Sequence, residues 1–415
     1  MLIADVLKAL ELDDMHETWR CNWEATQKTY PGASVFFLED DFVDKANLIL
    51  HLPDDAIEAY HRATEMVRKR EELSRLAWHA RQILFSSSGK EQSDIWQNWP
   101  SLKASMGEME GMFAVLVFVS ELPAVSEYYE KKGIPQKILI DTMNDVDIWM
   151  RDYYNLHGVW GLDELCWAIH HFTFKIFKLG RLQFMPEPFT GSIKVYRNKK
   201  NSEVVALMEG GVKVRDDGRF DGNNSIEDSH SYWFTSIDEK NGFVTANPVF
   251  PDGIVSKKLI SVSLSEWELV LQKGDPVLNI HIPRDGRMPY EMCLESIKTA
   301  YDFFHKHFPE QSFNGFALIT WFLDPQLIKM MPASSNLVRF QKEFYLYRQT
   351  DSDGLLRRFV FRGFALDSSD APRESSLQQS ILDYVEDGNH MYTCSGFILN
   401  DDIDYFGTNF YQSIL

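Results

Sequence analysis

The chain has 415 residues, 44% hydrophobic and 25% charged, with a net charge of −19. That is roughly two or three domains' worth of ordinary globular sequence, long enough to bury an ample core. The densest basic cluster, Arg68-Lys69-Arg70, runs straight into Glu71 and Glu72, so the sequence lacks the cationic footprint that nucleic acid or an anionic membrane requires.

Four cysteines, Cys21, Cys166, Cys293 and Cys394, lie far apart without a CxxC pair. They read as reduced buried thiols; neither a disulfide framework nor a metal site is expected. Met1 to Glu17 mixes acidic residues into its apolar ones, unlike a signal peptide. The longest apolar run, Met112 to Val119, is too short to span a bilayer. The expected location is the cytoplasm.

The first 160 residues read as helices. Pro53, Asp54 and Asp55 open one, with proline and carboxylates suited to a first turn. Ile57, Tyr60, Thr64 and Val67, then Leu73, Leu76, Ala80 and Ile83, recur at helical spacing. Ser86 to Lys90 is a polar linker. Further helices are predicted over Met109 to Lys131, broken or kinked at Pro123, over Pro135 to Gly158, and over Leu162 to Phe174.

The texture then changes. Strands are predicted over Phe177 to Met185, Ser192 to Tyr196 and Val204 to Met208, followed by a Gly/Asp/Asn-rich loop from Gly210 to Ser229. Tyr232 to Ile237 and Gly242 to Ala246 flank Asp238 to Asn241 as a hairpin. Ser265 to Glu268 has capping-box spacing and reads as the start of a short helix. Next come a strand over Val277 to Ile282, a helix over Pro289 to Phe308 and a strand over Phe316 to Leu323. Strands over Val338 to Arg348 and Leu356 to Phe364 are expected to flank a turn at Thr350 to Gly354. A helix near Ser375 to Val385 and a strand over Tyr392 to Leu399 close the chain. Mostly strand-to-strand connections around one strand–loop–helix–strand unit imply a mixed sheet.

That unit carries the chemistry. The stripe Tyr290, Cys293, Leu294, Ile297, Tyr301, Phe304 and Phe308 pins a helix whose N-terminus faces the loop Pro283 to Met288. Free N–H groups there, Gly286, and the cations Arg284 and Arg287 suit phosphate oxygens. The loop is neither a dinucleotide fingerprint nor a Walker loop. Asn279 and His281 share one strand face; they line a polar cleft or are satisfied within the fold. Asp324 is a candidate base, or an N-cap ahead of Pro325 and a helix over Gln326 to Met331. Tyr345 and Tyr347 are donors or packing aromatics. The pairs His170-His171 and His305/His307 have the wrong spacing for a shared metal.

Several phrases carry a family resemblance. They are Leu179-Gly180-Arg181-Leu182-Gln183-Phe184, Leu264 to Leu271, Gly274 to Leu278 running into His281-Ile282-Pro283, and Trp321 to Pro325 with Ser335-Asn336. The chain resembles predicted bacterial two-domain acyltransferases, with a helical N-acyltransferase N-terminal domain over 1–160 and a GNAT-like domain over 161–415. The resemblance implies an α+β fold whose GNAT-like mixed α/β domain has a splayed central sheet. The pantetheine arm of an acyl-CoA would lie against Ile280 and Ile282 of the fourth strand. Its pyrophosphate would meet Arg284, Asp285, Gly286, Arg287 and Met288. The family loop is [RQ]-x-x-G-x-[GA]; here Arg284 lies two residues before Gly286 and Met288 replaces a small residue.

The expected activity is an N-acyltransferase, an acetyltransferase first of all. Acetyl-CoA or another acyl-CoA is the co-substrate, a small-molecule or peptide amine the acceptor, and no metal takes part. An alkyl amine has a pKa of roughly 10, so a base must take its proton; His281 and Asp324 are the candidates. The alternatives are a non-catalytic GNAT-shaped module that binds acyl-CoA or a protein, and a hydrolase using the same two residues on a small ester.

Overall fold

A computed structural model describes residues 1–12, 15–32, 34–220, 231–348 and 353–414. The fold is α+β, in two compact units: Met1–Leu179 with Pro283–Asp285, and Gly180–Ile282 with Gly286–Leu415.

The first unit is helical. Its main helices are α1 (Asp40–Leu50), α2 (Asp54–Lys69), α3 (Glu71–Ser86), α4 (Glu110–Val119), α5 (Gln136–His157) and α6 (Leu165–Phe172). Pro53 caps α2 in extended conformation, with Asp54 and Asp55 in its first turn. α5 ends at Gly158, which takes the left-handed φ of 74° that glycine adopts without strain. Lys103–Lys131 is long and apolar enough to cross a bilayer by composition. It is broken into separate helices, however, and Gly111 to Val119 is buried at every position, as a core helix is. Pro123 sits in the first turn of the helix Leu122–Lys131, so the break falls just before it, at Ser120 and Glu121.

Buried charge in this unit is matched. Asp145 lies 3.1 Å from His171 and accepts from the indoles of Trp149 (2.9 Å) and Trp167 (2.7 Å). Burial pushes the Asp145 carboxyl up, but His171 and the indole donors outweigh it and hold the group below the usual carboxylate range.

The second unit is built on strands β1 (Leu182–Pro188), β2 (Pro276–His281), β3 (Gly315–Thr320), β4 (Tyr345–Arg348) and β5 (Cys394–Leu399), in the order β1-β2-β3-β5-β4. Only β2 and β3 run parallel, joined across the sheet by α7 (Tyr290–His307). α7 buries Tyr290, Cys293, Ile297, Ala300 and Phe304. Phe313 joins Phe304 to Phe316, and Phe316 meets Phe184. Each such side chain contributes about 1.5–3 kcal/mol on burial. A second, four-stranded sheet comprises Trp267–Gln272, Ile193–Asn198, Val204–Met208 and Pro248–Val249.

Several expected elements are different. The strand expected over Phe177 to Met185 is two, Phe177–Leu179 and Leu182–Pro188, broken at Gly180 with φ 73°. The hairpin turn is Asn241-Gly242, both at positive φ, so Asp238 to Lys240 lie in the strand Ile237–Lys240. Ser265 to Glu268 does not start a helix, because Trp267 and Glu268 already pair with Asn198 and Arg197. Val338 lies in the helix Asn336–Gln341, and only Tyr345–Arg348 of that run is strand. Leu356 to Val360 is helical, within Gly354–Val360. Residues 221–230 of the expected loop and 349–352 of the expected turn lie outside the described residues.

Candidate active site

β2 is bonded unequally along its two edges. Against β1 its register runs unbroken from Pro276↔Pro188 to His281↔Gln183. Against β3 the ladder holds only Leu278↔Phe316 and Asn279↔Ala317. β3 itself continues to Thr320, paired with β5 at every position from Gly315 to Thr320. Past Asn279 and Ala317, therefore, the two parallel strands no longer pair. Ile280 and His281 stand in register with β1 on the other side and have no residue of β3 in register with them. Ile280 is buried, while His281 and Ile282 are half-buried.

Direct pairing fixes which side chains share a face. His281 stands opposite Gln183 and Asn279 opposite Met185. The Asn279 amide donates to the Glu187 carboxylate. Gln183, Asn279, His281 and Glu187 thus form a polar patch on one face of the sheet, beside the unpaired stretch. The opposite face, with Phe184, Leu278 and Phe316, belongs to the core.

The loop after β2 leads into α7, whose first turn has no side-chain cap. Gly286 takes φ 147°, open to glycine but strained for other residues, and faces empty space where a Cβ would stand. The Arg287 side chain is exposed and makes no ion pair with a described residue. The start of α7 is anchored. The Tyr290 hydroxyl donates to the buried Glu343 carboxylate, which also accepts from the Gly407 N–H at 2.8 Å. The Arg339 guanidinium stacks 3.8 Å over the Tyr290 ring. Burial pushes the Cys293 thiol up to about 11, which removes it as a nucleophile at neutral pH.

The remaining predicted residues are placed as follows. In the first unit Arg284 pairs with Asp152 at 2.5 Å, and Asp285 pairs with Lys178. Arg284 is therefore a paired cation, and its charge is already opposed. Asp324 follows the single turn Trp321–Leu323 after β3, at the same sheet end as His281, and is fully buried. Its carboxylate accepts from the Gln326 N–H at 3.1 Å, the Gln326 amide at 3.0 Å and the Tyr392 N–H at 2.9 Å. The Tyr345 hydroxyl donates to Val249 O at 2.5 Å and accepts from the Ala206 N–H at 3.3 Å, tying the two sheets together. Tyr347 is buried against Phe189.

Arg181 and Ser296 escaped sequence reasoning. The Arg181 Nε donates to Arg287 O at 2.7 Å and its Nη2 to Gly286 O at 2.8 Å. Its main-chain N–H donates to Ser296 Oγ at 2.7 Å, and Ser296 Oγ donates to Met292 O on α7 at 2.8 Å. The only sequence signal was the phrase around Gly180-Arg181, which carried resemblance without chemistry. Among the described residues, no cluster of His, Cys, Asp and Glu has metal-ligand geometry.

The sheet is thus mixed, with its two parallel strands in register over two residue pairs and a helix following the end of β2. Residues 176–398 match the model of the GNAT-like C-terminal domain, and 41–174 that of the N-acyltransferase N-terminal domain. The chain belongs to this two-domain acyltransferase family. Among solved structures it is similar to an acyltransferase mutant in complex with octanoyl-CoA, at 20% identity and TM-score 0.63, and to an acyltransferase in complex with decanoyl-CoA and teicoplanin, at 19% and 0.61. Each likeness covers 96% of this chain and 99% of the other. A search of curated proteins returns no match.

Proposed function

We propose that this protein is a GNAT-type N-acyltransferase that moves an acyl group from a CoA thioester to an amine by direct attack. The observation that carries this reading is the end of the β2–β3 register at Asn279 and Ala317, two residues before the end of β2. An extended chain bearing amides, such as pantetheine, pairs with an unpaired strand edge as an added strand does. The helix tip and the Gly286 turn supply donors for the pyrophosphate.

In the reaction the amine nitrogen attacks the thioester carbonyl carbon. A C–N bond forms, the C–S bond breaks, and the thiolate leaves. The amine's proton goes to a base, and we assign that role to His281, half-buried at the open end of β2. Asp324 suits it less, because its two oxygens already accept from Gln326 and Tyr392. Holding both reactants in one cleft supplies much of the remaining acceleration.

The structural relatives were solved with octanoyl- and decanoyl-CoA, so medium-length donors stand beside acetyl-CoA as candidates. Thermal unfolding with CoA, acetyl-CoA, octanoyl-CoA and decanoyl-CoA tests the binding step. A ligand at a hundred times its Kd stabilises the native state by about 2.7 kcal/mol. No rise in Tm at millimolar concentration of any of the four would refute the reading. Release of free CoA with a panel of amines, teicoplanin among them, then separates turnover from binding alone.

A further inference from the structure

We infer that Arg181 is a positioning residue that holds the loop before α7 with its amides turned outward, ready for a diphosphate. The inference rests on the acyl-CoA reading above and assigns a role that the loop's own sequence does not contain.

A trans peptide sets each C=O antiparallel to the N–H of the next residue. Arg181 takes two successive carbonyls of the loop, Gly286 O at 2.8 Å and Arg287 O at 2.7 Å. The N–H groups of Arg287 and Met288 must then point away from the guanidinium. Neither donates to any described residue. Left to itself such a loop would present carbonyl oxygens as readily as amides, and an oxygen beside a phosphate repels it. Fastening the oxygens on the inner side removes that conformation. The guanidinium also carries its positive charge beneath the amides, where Arg181 is 7% exposed.

The clamp is itself fastened to α7. Ser296, one turn below Met292, accepts the Arg181 N–H at 2.7 Å. Gly180, at φ 73°, makes the close turn possible, since a Cβ there would lie 2.7 Å from Ser296 Oγ. Turn, loop and helix tip are therefore one hydrogen-bonded block, and the phrase Leu179-Gly180-Arg181 acquires a physical meaning.

The test compares two ligands on the full-length protein by titration calorimetry: CoA, which carries the pyrophosphate, and pantetheine, which lacks it. Wild type should bind CoA more tightly than pantetheine. Arg181→Gln should weaken CoA about tenfold, the loss expected for one charged hydrogen bond, and leave pantetheine unchanged. Arg181→Lys, which keeps the charge but not the fork, should fall between. Ser296→Ala, which loosens the turn without touching the guanidinium, should weaken CoA about threefold or less. Equal weakening of both ligands by Arg181→Gln and Ser296→Ala alike would mean general damage and overturn the inference. So would an unchanged CoA affinity in Arg181→Gln. A wild-type protein that binds CoA no better than pantetheine would instead show that the pyrophosphate reading beneath it is wrong.

Discussion

The two edges of β2 show what a sheet does when it is complete and when it is not. Toward β1 six residues pair in unbroken register, and that ladder fixes which way Asn279 and His281 point. Toward β3 only two residues pair, although β3 remains fully bonded to β5 on its other side. An unmet buried backbone group costs about 1–3 kcal/mol, so folded chains seldom leave one without water or a ligand in reach. His281, the last residue of β2, and Ile282 just beyond it are half-buried. On the acyl-transfer reading proposed above, the closed edge positions the chemistry and the open edge admits the substrate.

The largest expected effect comes from removing His281, the proton acceptor proposed above. Replacing His281 with Gln keeps a polar side chain opposite Gln183 and the register of β2. It removes the only group in the polar patch suited to proton transfer near neutral pH. We expect kcat to fall roughly 10²–10⁴-fold with the KM for acyl-CoA nearly unchanged. Steady-state kinetics across pH decide it. A variant with wild-type kcat would move the base elsewhere.

A second expectation contrasts His281 with a histidine in a closed region. His79, in the helical unit, donates from Nε2 to Trp19 O at 2.9 Å, and its Nδ1 meets Thr26 Oγ1 at 2.7 Å. Burial pushes its pKa down to about 4. His170 is likewise lowered to about 4, by burial and then by Lys175 and His171. The unfolded chain protonates these groups near 6.5, so it binds more protons than the folded one between that pH and 4. Stability contributed by the neutral imidazoles is thus complete above pH 6.5, is lost as pH falls, and is gone below 4. For fully buried His79 the loss is about 3 kcal/mol. Urea unfolding at several pH values should show the decline, and His79→Gln should remove about half its slope. A slope that the variant leaves intact would place the proton uptake on other groups.

Much of this was legible in the sequence, for local reasons. The helices α2, α3 and α5 announce themselves through apolar spacing and end signals at Pro53 and Gly158. The strand–loop–helix–strand unit was visible because its stripe on α7 is long. Short apolar runs were not decidable: Val338 to Arg348 and Leu356 to Phe364 read as strands, but Val338 to Gln341 and Leu356 to Val360 are helical, since a few residues fit either period. Asn241-Gly242 is a readable turn signal, and it makes the turn in place of the longer Asp238 to Asn241. The role of Arg181 was not readable, although its phrase carried a resemblance. Its partners are main-chain carbonyls 105 and 106 residues away, and a carbonyl leaves no trace in the residue alphabet.

The smallest expected effect separates two readings of Asp324 that the sequence left open. The structure surrounds this carboxylate with donors: the N–H groups of Gln326 and Tyr392, and the Gln326 amide, which also reaches His390 O at 2.8 Å. Tyr384 extends the network by donating to the Gln326 side-chain oxygen at 2.9 Å. A group so engaged joins the end of β3 to the segment leading into β5 and has little capacity left for a substrate proton. Asp324→Asn keeps the shape but turns one acceptor into a donor that faces donors. It should cost about 1–3 kcal/mol of stability, read as a lower urea midpoint. Below the transition kcat should stay within about threefold of wild type, since a group outside the proton-transfer step leaves the barrier in place. If kcat instead collapses while the urea midpoint holds, Asp324 is the base, and the open end of β2 serves only to seat the thioester.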